Sequence, residues 1–149
     1  MLDINPYLHF PGNAWEAMSF YRYVFGGEFT TVGRYGDLPG AEKMPPGELD
    51  KLIHICLTIG NGHTIMATDM LESMGQELTT GDNFHICVHL ESEAEADRVF
   101  EALAEKGKIK MPMNKTFWGA YFGMCRDRFN IQWMIDYTPT IPSSPASSS

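Results

Sequence analysis

The sequence predicts an α+β protein built from two copies of one βαβββ module. Two observations support this prediction. Two amphipathic helical segments with the same capping pattern lie 79 residues apart, and each follows one strand-like run and precedes three more. Each half is therefore predicted as strand, helix, strand, strand, strand, which favours two similar units over one parallel, doubly wound sheet.

The two helices share their start signals. The first is predicted in NAWEAMSFYRYVFGG, where Asn13 can cap the N-terminus and Glu16 stands three residues on, the spacing of a capping box. The second is predicted in SEAEADRVFEALAEKG, where Ser92 and Glu95 repeat that spacing. Each segment carries an apolar stripe at helical periodicity, and each ends in a turn that contains glycine.

The strand-like runs repeat as well. His-Ile-Cys occurs in LIHICLTIGN and again in NFHICVHLES, but the two copies fall in different strands of their modules. The repeat instead aligns residues 8–10 with 88–90 and residues 64–66 with 132–134, at offsets of 80 and 68. The predicted module boundaries are about 4–70 and 83–137.

Strand alternation assigns side chains to faces. In FHICVHL, three apolar side chains are predicted to pack under the helix, which places His85, Cys87 and His89 on the opposite face. Two such sheets are expected to curl around a shared concave cavity lined by their polar faces. In LIHICLTI the predicted buried row is Ile53, Ile55, Leu57 and Ile59.

Composition excludes several classes of function. The net charge of −8 and the lack of a basic stripe disfavour nucleic-acid binding, and no glycine-rich phosphate-binding motif is present. Three dispersed cysteines indicate neither a disulfide framework nor a cysteine-rich zinc site. No apolar run is long enough to span a membrane, and no signal peptide is recognised, so a cytoplasmic location is expected. Residues 34–51 are predicted as a long loop, and the Ser/Pro-rich residues 138–149 as a disordered tail.

The chain resembles the vicinal oxygen chelate superfamily, and within it the PhnB-like branch of glyoxalase/bleomycin-resistance proteins. The stretches that carry the resemblance are PYLHFPGNAWEAMSFYRYVFGGE, GHTIMATD, EADRVFEALAEKGKIKMPMNKTFWGAYFG and DRFNIQWMI. The resemblance implies a single domain over residues 1–137 with a glyoxalase-like fold. A homodimer is also expected, because the aromatic stretch TFWGAYF and the long loop at residues 34–51 could form an interface.

Metal enzymes of the superfamily take ligands from the first and last strands of each module. Those positions fall here on Asn5, Met66, His85 and Met134. A hard divalent cation prefers oxygen or imidazole ligands, and thioethers are poor substitutes. The expectation is therefore a protein without the usual metal site and without a cofactor.

His85 is the candidate catalytic residue, as a general base or a hydrogen-bond partner of substrate. The expected function is binding of a small, partly apolar molecule. One alternative is a metal-dependent or His85-based lyase or isomerase, and another is a structural or partner-binding dimer. Asp69 is interpreted as a strand-end charge at the rim. The candidate ligand-binding residues are Tyr7, His9, Met66, His85, Cys87, Trp118 and Met134.

Overall fold

A computed structural model describes residues 2–139. The chain divides into two compact units, with the boundary along the chain between Thr80 and Gly81. Each predicted module lies within one unit. The predicted tail at residues 138–149 lies outside the described residues except for its first two positions, which have no regular structure. No helix within residues 2–139 is long and apolar enough to cross a membrane.

The first unit is a four-stranded sheet with one long helix. Its strands lie in the order β1-β4-β3-β2, with β1 parallel to β4 and the other pairs antiparallel. The predicted loop at residues 34–51 holds three single turns of 3₁₀ helix between β2 and β3. The elements are β1 (Tyr7–Phe10), α1 (Ala14–Phe25), β2 (Glu28–Arg34), β3 (Leu52–Ile59) and β4 (His63–Asp69).

The second unit repeats this arrangement. Its strands lie in the order β5-β8-β7-β6, again with the first and last strands of the module parallel and adjacent. The elements are β5 (Ile86–His89), α2 (Glu93–Ala104), β6 (Lys108–Lys115), β7 (Tyr121–Arg126) and β8 (Gln132–Tyr137). The prediction of two βαβββ modules is confirmed.

Strand register confirms the offsets read from the sequence. Tyr7 pairs with Met66 in the first unit, and Cys87 pairs with Met134 in the second, at the predicted offsets of 80 and 68. Even an irregularity repeats. A β-bulge interrupts β2 between Phe29 and Thr31, and another interrupts β6 at the corresponding place, at residues 109–111.

Each unit has its own apolar core between its helix and one face of its sheet. Burying a large apolar side chain contributes about 1.5–3 kcal/mol, so these faces hold each helix in place. In the first unit the buried residues include Leu8, Phe10, Met18, Tyr21, Ile55, Leu57 and Ala67. In the second they include Val99, Phe100, Leu103, Cys125, Trp133 and Ile135.

Three local expectations differ from the structure. Asn13 makes no side-chain capping bond to helix α1, whereas Ser92 Oγ accepts from Glu95 N at 3.1 Å as predicted. A second register shift, between Gly33 and Arg34, skips Ile53, so Leu52 rather than Ile53 lies in the buried row, and Ile59 at the end of that row is half-buried. The third concerns the role of one carboxylate.

Asp69 was expected as a solvated rim charge, and that interpretation is wrong. The residue is 2 % exposed. Its Oδ1 accepts from Ala14 N, and its Oδ2 accepts from Leu52 N, both at 2.8 Å. The carboxylate at the end of β4 therefore caps helix α1 in place of Asn13, and it also anchors the start of β3.

Candidate functional site

The face of the second sheet that points away from α2 carries a row of four sulfur-bearing side chains. We call the face of each sheet opposite its helix the distal face, and these four residues the sulfur row. Cys87 pairs with Met134, Met134 with Met124, and Met124 with Met111, so each strand contributes one member. The methionines are half-buried and Cys87 is exposed. Thioethers are flexible and polarisable, so this row suits apolar or aromatic groups of varied shape.

Two cationic side chains meet one amide oxygen at an end of this face. Lys110 Nζ donates to Gln132 Oε1 at 2.5 Å, and Arg126 Nη2 donates to the same atom at 3.2 Å. Gln132 is 5 % exposed, and its Nε2 donates to the Phe84 carbonyl at 2.7 Å, which sets the orientation of the amide. We call Lys110, Arg126 and Gln132 the cationic cluster. Among the described residues, neither cation forms an ion pair with a carboxylate.

His85 immediately precedes β5, and the charges of Lys110 and Arg126 act on its imidazole ring. Its Nε2 atom is buried and has no hydrogen-bond partner within the described chain. Burial lowers the pKa of the imidazole, and the charges of Lys110 and Arg126 lower it further, against a smaller opposing effect of Asp82. His85 is therefore a neutral imidazole at physiological pH, a form that can either accept a proton or donate one hydrogen bond. Its catalytic role stays a prediction.

The other end of the distal face holds a thiol, an imidazole and a carboxylate. His89 Nδ1 lies 2.8 Å from Asp136 Oδ2, and His89 Nε2 lies 3.7 Å from Cys87 Sγ. This order of groups is that of a nucleophile, a base and an orienting acid. The electrostatics oppose that chemistry, because burial and the Asp136 charge raise the pKa of the Cys87 thiol. Cys87 is therefore a protonated thiol at neutral pH, suited to contact a ligand rather than to attack it.

Trp118 lies in the turn between β6 and β7 and is 61 % exposed. Its ring packs edge-on against Phe117 and lies 6.1 Å, centre to centre, from Phe122, which pairs with Asp136 on the distal face. Trp118 thus stands beside the Asp136 end of this face. In that position it could contact a ligand as predicted, although Phe117, which is 97 % exposed, extends further into solvent.

The remaining predicted ligand-binding residues lie on the distal face of the first sheet. Tyr7 Oη lies 3.0 Å from His54 Nδ1, and the Tyr7 ring lies 5.7 Å from that of His9. Met66, half-buried, pairs with Tyr7. Burial, and then Tyr35, raise the pKa of the Tyr7 phenol, so it stays a neutral hydrogen-bonding group.

The structure thus divides the predicted site residues between two sheet faces. His85, Cys87, Met134 and Trp118 belong to the second unit, and Tyr7, His9 and Met66 to the first. The cationic cluster and Asp136 were not predicted. Alternation along β8 could have found Gln132 and Asp136, which are two residues on either side of Met134. No local signal in the sequence marks the bulge that brings Lys110 to Gln132.

The residues at the family's metal positions do not fit a hard divalent cation. Asn5 is exposed and precedes β1, and two of the other positions carry thioethers. His85 faces the positive charges of Lys110 and Arg126, which would repel a dication. Within residues 2–139, no three His, Cys, Asp or Glu side chains are grouped so that they could hold a metal ion.

Comparison with known proteins agrees with this fold. Over 150 aligned residues the chain is 31 % identical to Protein YjdN of Escherichia coli K12, with 95 % of this chain and 99 % of the relative covered. It is similar to the crystal structure of protein PA1353 from Pseudomonas aeruginosa, at 37 % identity and a TM-score of 0.82, covering 94 % and 100 % of the two chains.

A Bacillus cereus structure named putative 3-demethylubiquinone-9 3-methyltransferase, PhnB protein, is 30 % identical, with a TM-score of 0.74 and coverage of 93 % and 100 %. This likeness supports the PhnB-like resemblance. The family model of the Glyoxalase/Bleomycin resistance protein/Dioxygenase superfamily matches residues 4–135. Together with the paired βαβββ modules, this match shows that the chain belongs to the glyoxalase/bleomycin resistance protein/dioxygenase superfamily.

Proposed function

We propose that this protein binds a small, partly apolar molecule on the distal face of its second sheet, without a metal at the family positions. The sulfur row is the observation that carries the proposal. Four soft side chains, one from each strand, lie side by side between a cationic end and an end with an imidazole and a carboxylate. An apolar surface flanked by a few oriented polar groups is typical of small-molecule sites.

The half-buried methionines favour a binding role over a purely structural one. A methionine that served only the core would be expected among the fully buried residues, as Met18 is in the first unit. Met111, Met124 and Met134 instead keep part of their surface accessible on the face opposite the helix. Because methionine adapts its shape, such a surface can accept ligands of different outline.

We further propose that the protein is a homodimer. Phe117 and Trp118 expose large aromatic surfaces at one hairpin turn, and such surfaces are enriched at protein interfaces. Light scattering at micromolar concentration should then report twice the monomer mass of 16.8 kDa. A single species at the monomer mass would contradict this part of the proposal.

Binding to the sulfur row can be tested with Nile red, a neutral apolar dye whose fluorescence rises in apolar surroundings. Wild-type protein should enhance the fluorescence in a saturable way. Met134→Glu should reduce this binding at least fivefold at pH 8, since a carboxylate placed in the half-buried row is costly to desolvate. Met74→Glu is the matched control, because Met74 is 60 % exposed in the first unit and gains the same charge.

Thermal melting of both variants shows whether each is folded at the temperature of the assay. The proposal requires Met134→Glu to lose dye binding while folded and Met74→Glu to keep it. Equal binding by the wild type and Met134→Glu would contradict it. An equal loss of dye binding in both variants would also contradict it, because the loss would then come from the added negative charge and not from its position in the sulfur row.

A further inference from the structure

We propose that Lys110, Arg126 and Gln132 form a subsite for an oxyanion carried by a ligand whose apolar part lies over the sulfur row. This inference rests on the proposed function and adds the chemical class of the ligand. The ligand would be a small amphipathic anion, with a phosphoryl or carboxylate group at the cationic end of the distal face.

The first argument is an imbalance of charge. The two cations share the neutral acceptor Gln132 Oε1, at 2.5 and 3.2 Å, so they are held close to one another. Arg126 Nη1 also donates to the neutral carbonyl oxygen of Asn130 at 3.3 Å. An amide oxygen carries only a partial negative charge and cannot neutralise two full positive ones. The chain has 19 acidic and 11 basic residues, yet within residues 2–139 no carboxylate forms an ion pair with either cation. An oxyanion would supply the missing charge through charge-assisted hydrogen bonds.

The second argument comes from the internal repeat. The positions of the first module that correspond to Lys110, Arg126 and Gln132 hold Thr30, Thr58 and Thr64. There the bulged Thr30 lies with its hydroxyl 3.2 Å from that of Thr58, a neutral pair that needs no further partner. The βαβββ scaffold therefore does not require charged residues at these positions, and the second module carries two cations where the first has none.

The third argument is the environment of His85, whose ring lies near both cations. Its buried Nε2 has no hydrogen-bond partner within the described residues, and buried polar atoms without a partner are rare. The neighbouring positive charges help to keep this ring neutral, as described above. Because Nε2 has no accessible surface, His85 contributes a neutral neighbour rather than a direct contact, and the two cations carry the subsite.

The spacing along β8 sets the size of the ligand. Gln132 and Met134 lie on the same face two residues apart, which corresponds to about 7 Å in a strand. One aromatic ring joined directly to an anionic group spans a comparable distance. Phenyl phosphate and benzoate are therefore suitable probes, and inorganic phosphate tests the charged group without the ring.

Calorimetric titration with the three probes distinguishes the possible anions. We expect phenyl phosphate or benzoate to bind more tightly than inorganic phosphate, because the ring adds contact with the sulfur row. The tighter of the two aromatic anions identifies whether the subsite prefers a phosphoryl or a carboxylate group. Absence of binding by all three probes at concentrations up to tens of millimolar would overturn the inference.

Variants of the cations assign the binding to this subsite. Lys110→Glu should reduce the affinity for the better aromatic anion at least tenfold, since the new carboxylate can pair with Arg126 and repel the ligand. Arg126→Gln should reduce it at least fivefold. Lys115→Glu is the matched control, because it makes the same charge reversal on the same strand at a residue paired with Glu93. It should change the affinity less than twofold.

The Nile red assay separates this inference from the proposed function. Lys110→Glu should keep dye binding while it loses anion binding, and Met134→Glu should lose dye binding. If wild-type protein binds the dye but none of the anions, the oxyanion subsite is wrong and the proposed function stands. If Lys110→Glu and Lys115→Glu weaken anion binding equally, the effect is one of net charge, and the subsite is again wrong. Absence of dye binding by wild-type protein would instead contradict the proposed function.

Discussion

Gly27 and Gly107 occupy equivalent positions in the two modules and press against equivalent carbonyl groups. A Cβ atom on either glycine would lie 2.2 Å from a backbone oxygen, that of Thr58 in the first unit and that of Arg126 in the second. The two glycines end the helix-to-strand turns and let β2 and β6 pair closely with their neighbours. The two modules therefore share a close backbone contact that only glycine can fit, as well as the same apolar pattern.

Alanine at either glycine should destabilise the protein by about 3 kcal/mol, the upper end of the usual cost of overpacking, because backbone must move to relieve the clash. Gly27 also has φ +95°, whereas Gly107 lies outside the left-handed region, so Gly107→Ala measures the clash alone. Chemical denaturation provides the measurement. Gly47→Ala is the control, since its Cβ would meet nothing within 4 Å. Similar stability of Gly107→Ala and Gly47→Ala would contradict the packing described here.

Asp69→Ala should lower the free energy of unfolding by about 3 kcal/mol. The substitution leaves the backbone N–H groups of Ala14 and Leu52 without their acceptor in a buried place. Asp69→Asn should have an intermediate effect, since it keeps one acceptor oxygen. Asp3→Ala, at an exposed position, should change stability by less than about 0.5 kcal/mol. A wild-type melting temperature for Asp69→Ala would restore the original interpretation of a rim charge.

Cys87 and Cys125 should differ in their reaction with iodoacetamide, followed by mass spectrometry of the labelled positions. Burial and Asp127 raise the pKa of Cys125 to about 12, so this thiol should react only after unfolding. Cys87 is exposed and should react before Cys125. Its raised pKa should nevertheless make Cys87 slower than free cysteine at pH 8.

Asp136→Asn tests the interpretation of the group formed by Cys87, His89 and Asp136. Removing the carboxylate should lower the pKa of the Cys87 thiol and so speed its alkylation at pH 8, because more of it becomes thiolate. Asp97→Asn, whose carboxylate accepts from Tyr121 on the helix side, should leave the rate unchanged. Slower alkylation in Asp136→Asn would instead indicate that Asp136 and His89 activate the thiol.

Divalent metals should bind weakly. Lys110 and Arg126 oppose a dication at His85, and thioethers replace oxygen ligands at Met66 and Met134. Calorimetric titration with zinc, nickel and manganese should therefore show no stoichiometric site tighter than micromolar. A tight one-to-one event that His85→Ala abolishes would return the chain to the metal-dependent alternative.

Much of the fold could be predicted because its signals are local. Helical periodicity and the cap that Ser92 forms with Glu95 N depend on residues close in the chain, and two-residue alternation correctly placed Cys87 on the face opposite α2. The position of Met134 was predicted from the family pattern, and its pairing with Cys87 agrees with that prediction. The repeat of the βαβββ pattern strengthened the prediction, since one such pattern can arise by chance more easily than two in the same chain. The assignment of a ligand or a reaction does not follow from these patterns.

The sequence by itself determined the two βαβββ modules, the alternation of faces and the substitution of thioethers at the family's metal positions. Only the tertiary structure decided which polar groups meet. Asp69 reaches the start of α1 because β4 ends beside it, 55 residues along the chain from Ala14. Lys110 reaches Gln132 because a bulge turns it out of alternation, and bulges depend on pairing with a partner strand. Contacts between distant residues depend on strand register, and no short stretch of sequence encodes that register alone.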